Sequence, residues 1–238
     1  YLGNKISKNN LTSNLNYNHF KFGNSHFYYD SKIDYLYNEE KNEFNVYQME
    51  PGARAFFIKG KLKDVTINLY GNHKNEKLNN TPKNFPVDIN SLTACLSFID
   101  MEVENINLNA TNSTCEDSIN LINVKGKIDE VNIRNSFLDG LDIDFSNIEI
   151  HSVMIDNAKN DCLDVSAGSY KFDILNLSNC GDKGVSVGEK SNVIIKKAKI
   201  NSSSIGIASK DSSITELSEL KLKDMQTCVS AYNKKQEY

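Results

Sequence analysis

The chain of 238 residues is 39% hydrophobic, which is enough to bury a core of its own in one or two domains. Its 27 basic and 31 acidic residues leave a formal net charge of −4, which disfavours nucleic acid as a partner because duplex binding usually shows as a basic stripe. No run of about 18 apolar residues occurs, so the sequence predicts no membrane span.

The first 92 residues have no regular period. Residues 17–47 are rich in Tyr and Phe, residues 51–71 predict two strands, and residues 72–92 are polar and predict a long loop. Because the chain begins at Tyr1 and shows no signal-peptide pattern, we expect a processed or excised piece of a longer protein.

The second half carries an internal repeat of 22 residues. Similar segments begin at Asp117, Asp139, Asp161, Lys183, Ile205 and Thr227. In every segment the third residue is aliphatic and the second is small. A later set of aliphatic residues recurs in each unit, with a slip of one residue from Val193 onward, and ACLSFID around Leu96 resembles an earlier unit that is also displaced by one.

These segments alternate apolar and polar residues, are rich in β-branched side chains and are separated by Asn, Gly, Ser and Asp, which is typical of strands. A unit of 22 residues is too short for a propeller blade but fits one turn of a parallel β-helix. We therefore predict an all-β solenoid with regular coils over 93–238. Residues 1–92 are interpreted as its cap and first irregular coils, because an uncapped end would expose apolar surface. A separate small N-terminal domain is the alternative.

Stacking of the coils converts the repeat into columns of side chains. Asp117, Asp139, Asp161 and Lys183 are expected in one column, and the residues three positions later form a second column on the same outward face. Asp139, Asp142, Asp161 and Asp164 then form a patch of four carboxylates. Like charges on neighbouring strands are unfavourable, so the cluster indicates a functional site. A solvated acidic ladder paired with Lys183, or Asp side chains in Asx turns, are the alternatives.

Charged residues continue the same flank over the next two coils: Lys183, Glu189, Lys190 and Lys210. Lysines at one end and acids at the other would suit an anionic polymer that lies along the solenoid axis. A solvated lysine face is the simpler alternative.

The order SFLDGLDI, KNDCLDVSAGS, CGDKGVSVG, IGIASK resembles the pectin-lyase-like superfamily and, within it, the polygalacturonase group of glycoside hydrolases. The resemblance covers about residues 115–212 and implies a right-handed parallel β-helix. It also implies inverting hydrolysis of a uronic-acid polymer by three Asp residues. Asp139 and Asp161 match two of the three, and Lys210 matches a substrate-binding Lys. Asn160, Lys183 and Ala208 stand where the group has Asp, His and Arg.

The sequence therefore predicts Asp139, Asp142, Asp161 and Asp164 as acid and base candidates. Asn160, Lys183, Glu189, Lys190 and Lys210 are the predicted substrate-binding residues. A lysine beside an acid would also suit a lyase or epimerase, in which a base removes a proton next to a carboxylate. No metal site or cofactor is predicted, although four carboxylates would suit Ca²⁺.

The five Cys residues show no CxxC spacing, and their odd number leaves at least one without a partner in the chain. We interpret most of them, including Cys162 and Cys180, as buried small apolar groups. His151 is interpreted as a surface or strand-edge residue.

Two functions remain open at this point. The first is a secreted, periplasmic or cell-surface carbohydrate-active protein that binds an acidic polysaccharide and cleaves it as a hydrolase or lyase. The second is a non-catalytic structural or glycan-binding module of a surface or fibre assembly. The sequence predicts no oligomeric state.

Overall fold

The computed structural model describes residues 17–72 and 92–235, which form strands and no helix. The strands wind into a β-solenoid of about 8 turns, with parallel pairing between residues about 22 positions apart. This confirms the predicted all-β parallel β-helix. None of the described residues belongs to a helix that could span a bilayer.

The strands fall into an N-terminal group and a regular group. The N-terminal strands are β1 (Asn18–Phe22), β2 (Ser25–Tyr29), β3 (Ile33–Asn38), β4 (Glu43–Gln48), β5 (Ala55–Ile58), β6 (Lys61–Lys63) and β7 (Thr66–Tyr70). The regular strands are β8 (Ala94–Ile99), β9 (Glu102–Thr111), β10 (Asp117–Ile122), β11 (Lys125–Ser136), β12 (Asp139–Asp144), β13 (Asn147–Ala158), β14 (Leu163–Ser166), β15 (Ser169–Gly188), β16 (Asn192–Lys210) and β17 (Ile214–Tyr232).

The N-terminal strands pair differently from the coils. β1 and β2 form an antiparallel hairpin, β2 pairs antiparallel with β5, and β3 pairs antiparallel with β4. The buried rings of Phe27, Phe44 and Phe57 contact one another there, and Phe20 and Tyr35 pack against them. Aromatic side chains thus join the N-terminal strands to the apolar interior. Residues 73–91, most of the predicted long loop, lie outside the described residues.

The predicted register is confirmed along the regular coils. Leu141 pairs with Leu163, Leu163 with Val185, and Ile207 with Val229, each one repeat apart. The one-residue slips are also confirmed, because Leu96 pairs with Ile119 and Phe172 with Ile195.

Aliphatic columns fill the interior. Ile119, Leu141, Leu163 and Val185 have no exposed surface, whereas Val229 in the last coil is 55% exposed. Burying each such side chain is worth about 1.5 to 3 kcal/mol. Repetition of these columns from coil to coil supplies the core.

One corner of four successive coils is built around an Asn in the left-handed conformation, and Ser202 and Asp224 occupy it in the next two coils. Asn112, Asn135, Asn157 and Asn179 occupy this corner with φ between 55° and 65°. Their side chains also bind one another: Asn135 Nδ2 donates to Asn112 Oδ1 at 2.8 Å, and Asn157 Nδ2 donates to Asn135 Oδ1 at 2.8 Å. Asn tolerates this backbone conformation better than other residues with a side chain, which explains the Asn-rich corners.

Replacement of Asn135 separates the two contributions. Asn135→Ala loses both side-chain hydrogen bonds and puts at positive φ a residue that tolerates this conformation less well than Asn does, so we expect a loss of about 1 to 3 kcal/mol in the free energy of unfolding. Asn135→Gly loses the hydrogen bonds alone and should cost less. Urea denaturation measures both, and equal costs would contradict a conformational role for this corner.

Two disulfide bonds correct the interpretation of the cysteines. Cys95 is joined to Cys115 and Cys162 to Cys180, while Cys228 is free and exposed. The four paired residues are buried, as predicted, but they are cross-links and not simple packing groups. Their partners are 20 and 18 residues apart, a spacing that no short Cys motif marks.

A thiol assay checks this correction. Unfolded protein without reductant should react at one thiol, that of Cys228, and reduced protein at five. Five reactive thiols before reduction would show that neither disulfide forms.

Candidate functional site

The candidate site is a group of six acids on one sheet of the solenoid. We call it the Asp ladder, and its members are Asp117, Asp139, Asp142, Asp144, Asp161 and Asp164. Asp117 pairs with Asp139, Asn120 with Asp142, and Asp142 with Asp164, so the predicted columns are present. Leu141 and Ile143 point into the core. Because side chains alternate along a strand, Asp142 between them and Asp144 after them point to the opposite face.

Asp144 is the member that the sequence analysis missed. It follows Asp142 at the alternating position across the buried Ile143, and it pairs with Ser166 in the next coil. Strict alternation along β12 would have found it, whereas our columns were spaced by three residues.

The first column is held by direct hydrogen bonds between coils. Asp139 Oδ1 accepts from Asn160 Nδ2 and from the backbone N–H of Asp161, both at 2.7 Å. Asp161 Oδ1 accepts from the backbone N–H of Lys183 at 2.9 Å, and the Lys183 ammonium lies 3.3 Å from the same oxygen. Lys183 Nζ also donates to Asp182, which was not among the predicted residues. Asn160 therefore supports an acid of the ladder.

The second column has fewer partners. Asn120 Nδ2 donates to Asp142 Oδ2 at 2.8 Å and lies 3.4 Å from Asp144 Oδ2. Oxygen Oδ1 of Asp164 in this column is buried, with no hydrogen-bond partner among the described residues, and the same holds for oxygen Oδ2 of Asp117 at the start of the first column. A buried carboxylate oxygen without a donor is costly, which favours the protonated form.

The ladder is more enclosed than a solvated acidic surface. Asp117 is 3% exposed and Asp161 is 4% exposed, while Asp139, Asp142 and Asp164 are half-buried. The alternative of a solvated acidic ladder is therefore wrong for Asp117 and Asp161. The ion pair with Lys183 that this alternative included is present, at Asp161.

The predicted substrate-binding charges differ in their access to solvent. Lys183 is largely enclosed, and Lys210 is buried, with Nζ donating to Ser186 Oγ at 2.6 Å. Glu189 accepts hydrogen bonds from Ser166 and Lys235, and only Lys190 of the three lysines is exposed. Of the three lysines predicted to bind substrate, Lys190 alone presents an exposed ammonium group, at the corner of a coil.

Burial raises the pKa values of the ladder. It raises the pKa of Asp139 to about 7, against the opposing hydrogen bonds from Asp161 and Asn160, and the pKa of Asp144 to about 6. The pKa values of Asp117 and Asp142 lie well above the usual range because of burial and neighbouring carboxylates. Burial also raises the pKa of Asp161, but the charge of Lys183 opposes this rise. Asp139 is therefore a half-buried acid whose pKa lies near neutral pH.

No three acid, His or Cys side chains among the described residues are placed to hold a metal ion, so the geometry gives no support to a Ca²⁺ site. His151 has a side chain that is 62% exposed and lies 3.2 Å from Asp173, as expected for a surface residue.

The chain matches no protein-family model, no curated protein and no solved structure. The parallel β-helix thus stands on the geometry alone, and the closer resemblance to polygalacturonases stays a prediction.

The raised pKa of Asp139 predicts a dependence of stability on pH. A carboxyl group with a pKa of about 7 when folded binds its proton more tightly than the unfolded chain does, where the value is about 3.9. Its contribution is complete below pH ~4 and is lost as the pH rises through about 7. Asp139→Asn removes this titration. Between about pH 4 and pH 8 the free energy of unfolding of the variant should therefore fall by about 2 to 4 kcal/mol less than that of the wild type.

Urea denaturation at a series of pH values measures this difference. The exposed Asp129 provides a matched control, because Asp129→Asn also removes one carboxyl group but changes no buried side chain. Parallel curves for wild type and Asp139→Asn would contradict a raised pKa at Asp139.

Proposed function

We propose that the protein is a secreted or envelope carbohydrate-active β-helix protein of pectin-lyase-like type. It binds an acidic polysaccharide along the Asp ladder and cleaves it by acid–base chemistry. The observation that carries the proposal is the column of Asp139, Asp161 and Lys183, in which two neighbouring acids have different surroundings. Asp139 receives hydrogen bonds from neutral donors, whereas Asp161 contacts an ammonium group.

Such a difference suits a division of roles between a proton donor and a base. Asp139, with a pKa of about 7 and partial exposure, supplies the proton to the leaving oxygen. Asp161, beside Lys183, is the acid that is more easily kept ionised and serves as the base. It takes a proton either from a water molecule whose oxygen bonds to the anomeric carbon as the glycosidic bond breaks, or from the ring carbon next to the uronate carboxylate as the glycosidic oxygen leaves. Asp142 and Asp164 surround this pair and complete the proposed site.

The raised pKa values also answer the difficulty that an acidic ladder would repel an acidic polymer. At pH values below about 6, Asp139 and Asp144 carry protons and become hydrogen-bond donors to a uronate. Lys190, two coils further along the solenoid, is exposed and attracts the anionic chain. Binding should therefore weaken as the pH rises.

The two disulfides support the proposed location, because disulfides persist mainly in oxidising compartments such as the cell exterior and the periplasm.

A non-catalytic role as a glycan-binding or structural module is the second candidate. It is favoured by the enclosure of Asp161, whose Oδ1 accepts hydrogen bonds from the backbone and ammonium of Lys183. A base held in this way has little access to a water molecule.

A panel of uronic-acid polymers tests the proposal. Wild-type protein should release reducing ends, or unsaturated products detected by ultraviolet absorbance, from at least one polymer, with stronger binding at pH 5 than at pH 8. Asp139→Asn should lower turnover by about 10² to 10⁴, the usual contribution of a general acid, and Asp161→Asn should also lower it.

The exposed Asp129→Asn variant should retain full turnover. Binding without turnover by wild type would favour the non-catalytic module, and absence of both binding and turnover would reject the proposal. Unchanged turnover in Asp139→Asn would remove Asp139 from the chemistry.

A further inference from the structure

A second face of the solenoid, away from the Asp ladder, carries two neighbouring rows of polar and aromatic side chains. We call it the Asn–Tyr face. One row is Asn45, Asn68, Asn109 and Asn132, and the other is Tyr47, Tyr70, Thr111 and Arg134. Paired positions on β4, β7, β9 and β11 place each residue against its counterpart in the next coil.

The Asn row is a continuous chain of side-chain hydrogen bonds. Asn68 donates to Asn45 at 2.8 Å, Asn109 donates to Asn68 at 2.8 Å, and Asn132 donates to Asn109 at 3.0 Å. Asn68, Asn109 and Asn132 each use an amide N–H in this row, Asn45 only accepts, and Asn132 Nδ2 also lies 3.5 Å from Glu130 Oε2. The amides are therefore held in fixed orientations before any ligand arrives, which lowers the entropy cost of binding.

The aromatic row begins as a stack and then stops. The rings of Tyr47 and Tyr70 have centroids 5.2 Å apart and planes inclined by 15°. The next position in the row is Thr111, whose side chain is small, and Tyr70 is 43% exposed. The stack thus ends at an exposed ring, above a position where a flat ligand ring can take the place of a third aromatic residue.

A groove of about 480 Å³ continues the face beyond this point. Asn109, Thr111, Asn132, Arg134, Met154 and Asp156 line it. Met154 is 43% exposed and offers apolar surface between polar groups. Arg134 and Asp156 pair on successive coils and carry opposite charges, so the groove has no strong net charge.

We infer that the Asn–Tyr face binds one sugar unit of a neutral polysaccharide, with the sugar ring stacked on Tyr70 and the chain running across the coils. A pyranose ring has an apolar CH face and a rim of hydroxyl groups. The CH face packs on the electron-rich face of Tyr70 above Thr111, and the hydroxyl groups meet the partly exposed amides of Asn109 and Asn132 and the exposed Arg134, whereas Asn45 and Asn68 are buried beneath them. The inference does not depend on the proposed chemistry of the Asp ladder.

Affinity measurements with soluble and insoluble neutral polysaccharides, such as xylan, amylose, cellulose and chitin, test the inference. Wild type should bind at least one of them. Tyr70→Ala should weaken that binding by roughly three- to tenfold, the range expected for one aromatic contact, and Tyr70→Phe should retain it. Arg134→Ala should weaken binding without a change in fold.

Tyr232→Ala is a matched control, because Tyr232 is 39% exposed but lies in the last coil, in the pairing row of Lys210. It should bind as wild type does. Circular dichroism and thermal midpoints verify that each variant is folded.

Asp139→Asn separates this inference from the proposed function, since it should alter the behaviour towards uronic-acid polymers and leave neutral-polysaccharide binding unchanged. Failure of wild type to bind any neutral polysaccharide, or equal affinities for Tyr70→Ala and wild type, would overturn the inference.

Discussion

Parallel hydrogen bonding between successive coils is the constraint on which the rest of the structure depends. It holds each strand in register with the strand one repeat earlier, so every side chain lies beside its own counterparts in the neighbouring coils. The effect of stacking then depends on the residue type. Aliphatic residues fill the core, Asn residues form hydrogen-bonded rows, and two Tyr rings stack. Asp residues in the same arrangement repel one another.

The Asp ladder shows how this repulsion is relieved. Asn120 and Asn160 donate hydrogen bonds between the acids, and Lys183 and Lys210 provide positive charge at the end of the two columns. What remains is relieved by protons, because burial and neighbouring charge raise the pKa values of the acids. The Asp ladder therefore holds several partly buried protonated carboxyl groups at pH values where exposed Asp side chains are ionised.

Much of the fold could be predicted because the spacing of aliphatic residues in the sequence repeats with the length of one coil. The 22-residue spacing predicted the length of one coil. The aliphatic position that recurs in every unit, occupied by Leu141 and Leu163, predicted which side chains face the core. The disulfides could not be predicted, because Cys162 and Cys180 are brought together by the bend of a coil and not by a local motif. The antiparallel pairing of β1 to β4 lacks any repeat, so no periodic signal marks it.

The candidate site was predicted only in part for a related reason. Periodicity places residues in columns, and this was sufficient for Asp139 and Asp161. It gives no information on burial, which depends on how tightly neighbouring side chains close over a column. The burial of Lys210 and the hydrogen bond from the backbone N–H of Asp161 to Asp139 could therefore be identified only from the structure.

The one-residue slip in the coils bears on how such a chain diverges. Ser166 pairs with Gly188 after 22 residues, but Ser169 pairs with Asn192 after 23, so an extra residue enters at the corner of Glu189 and Lys190. The pairing returns to 22 between Cys180 and Lys183. Loss or gain of a single codon is thus absorbed at two corners of one coil while the columns between coils are preserved. A one-residue insertion at one of these corners can thus be offset by a one-residue deletion at the other, and the spacing that the fold keeps is that of its columns and not a constant number of residues.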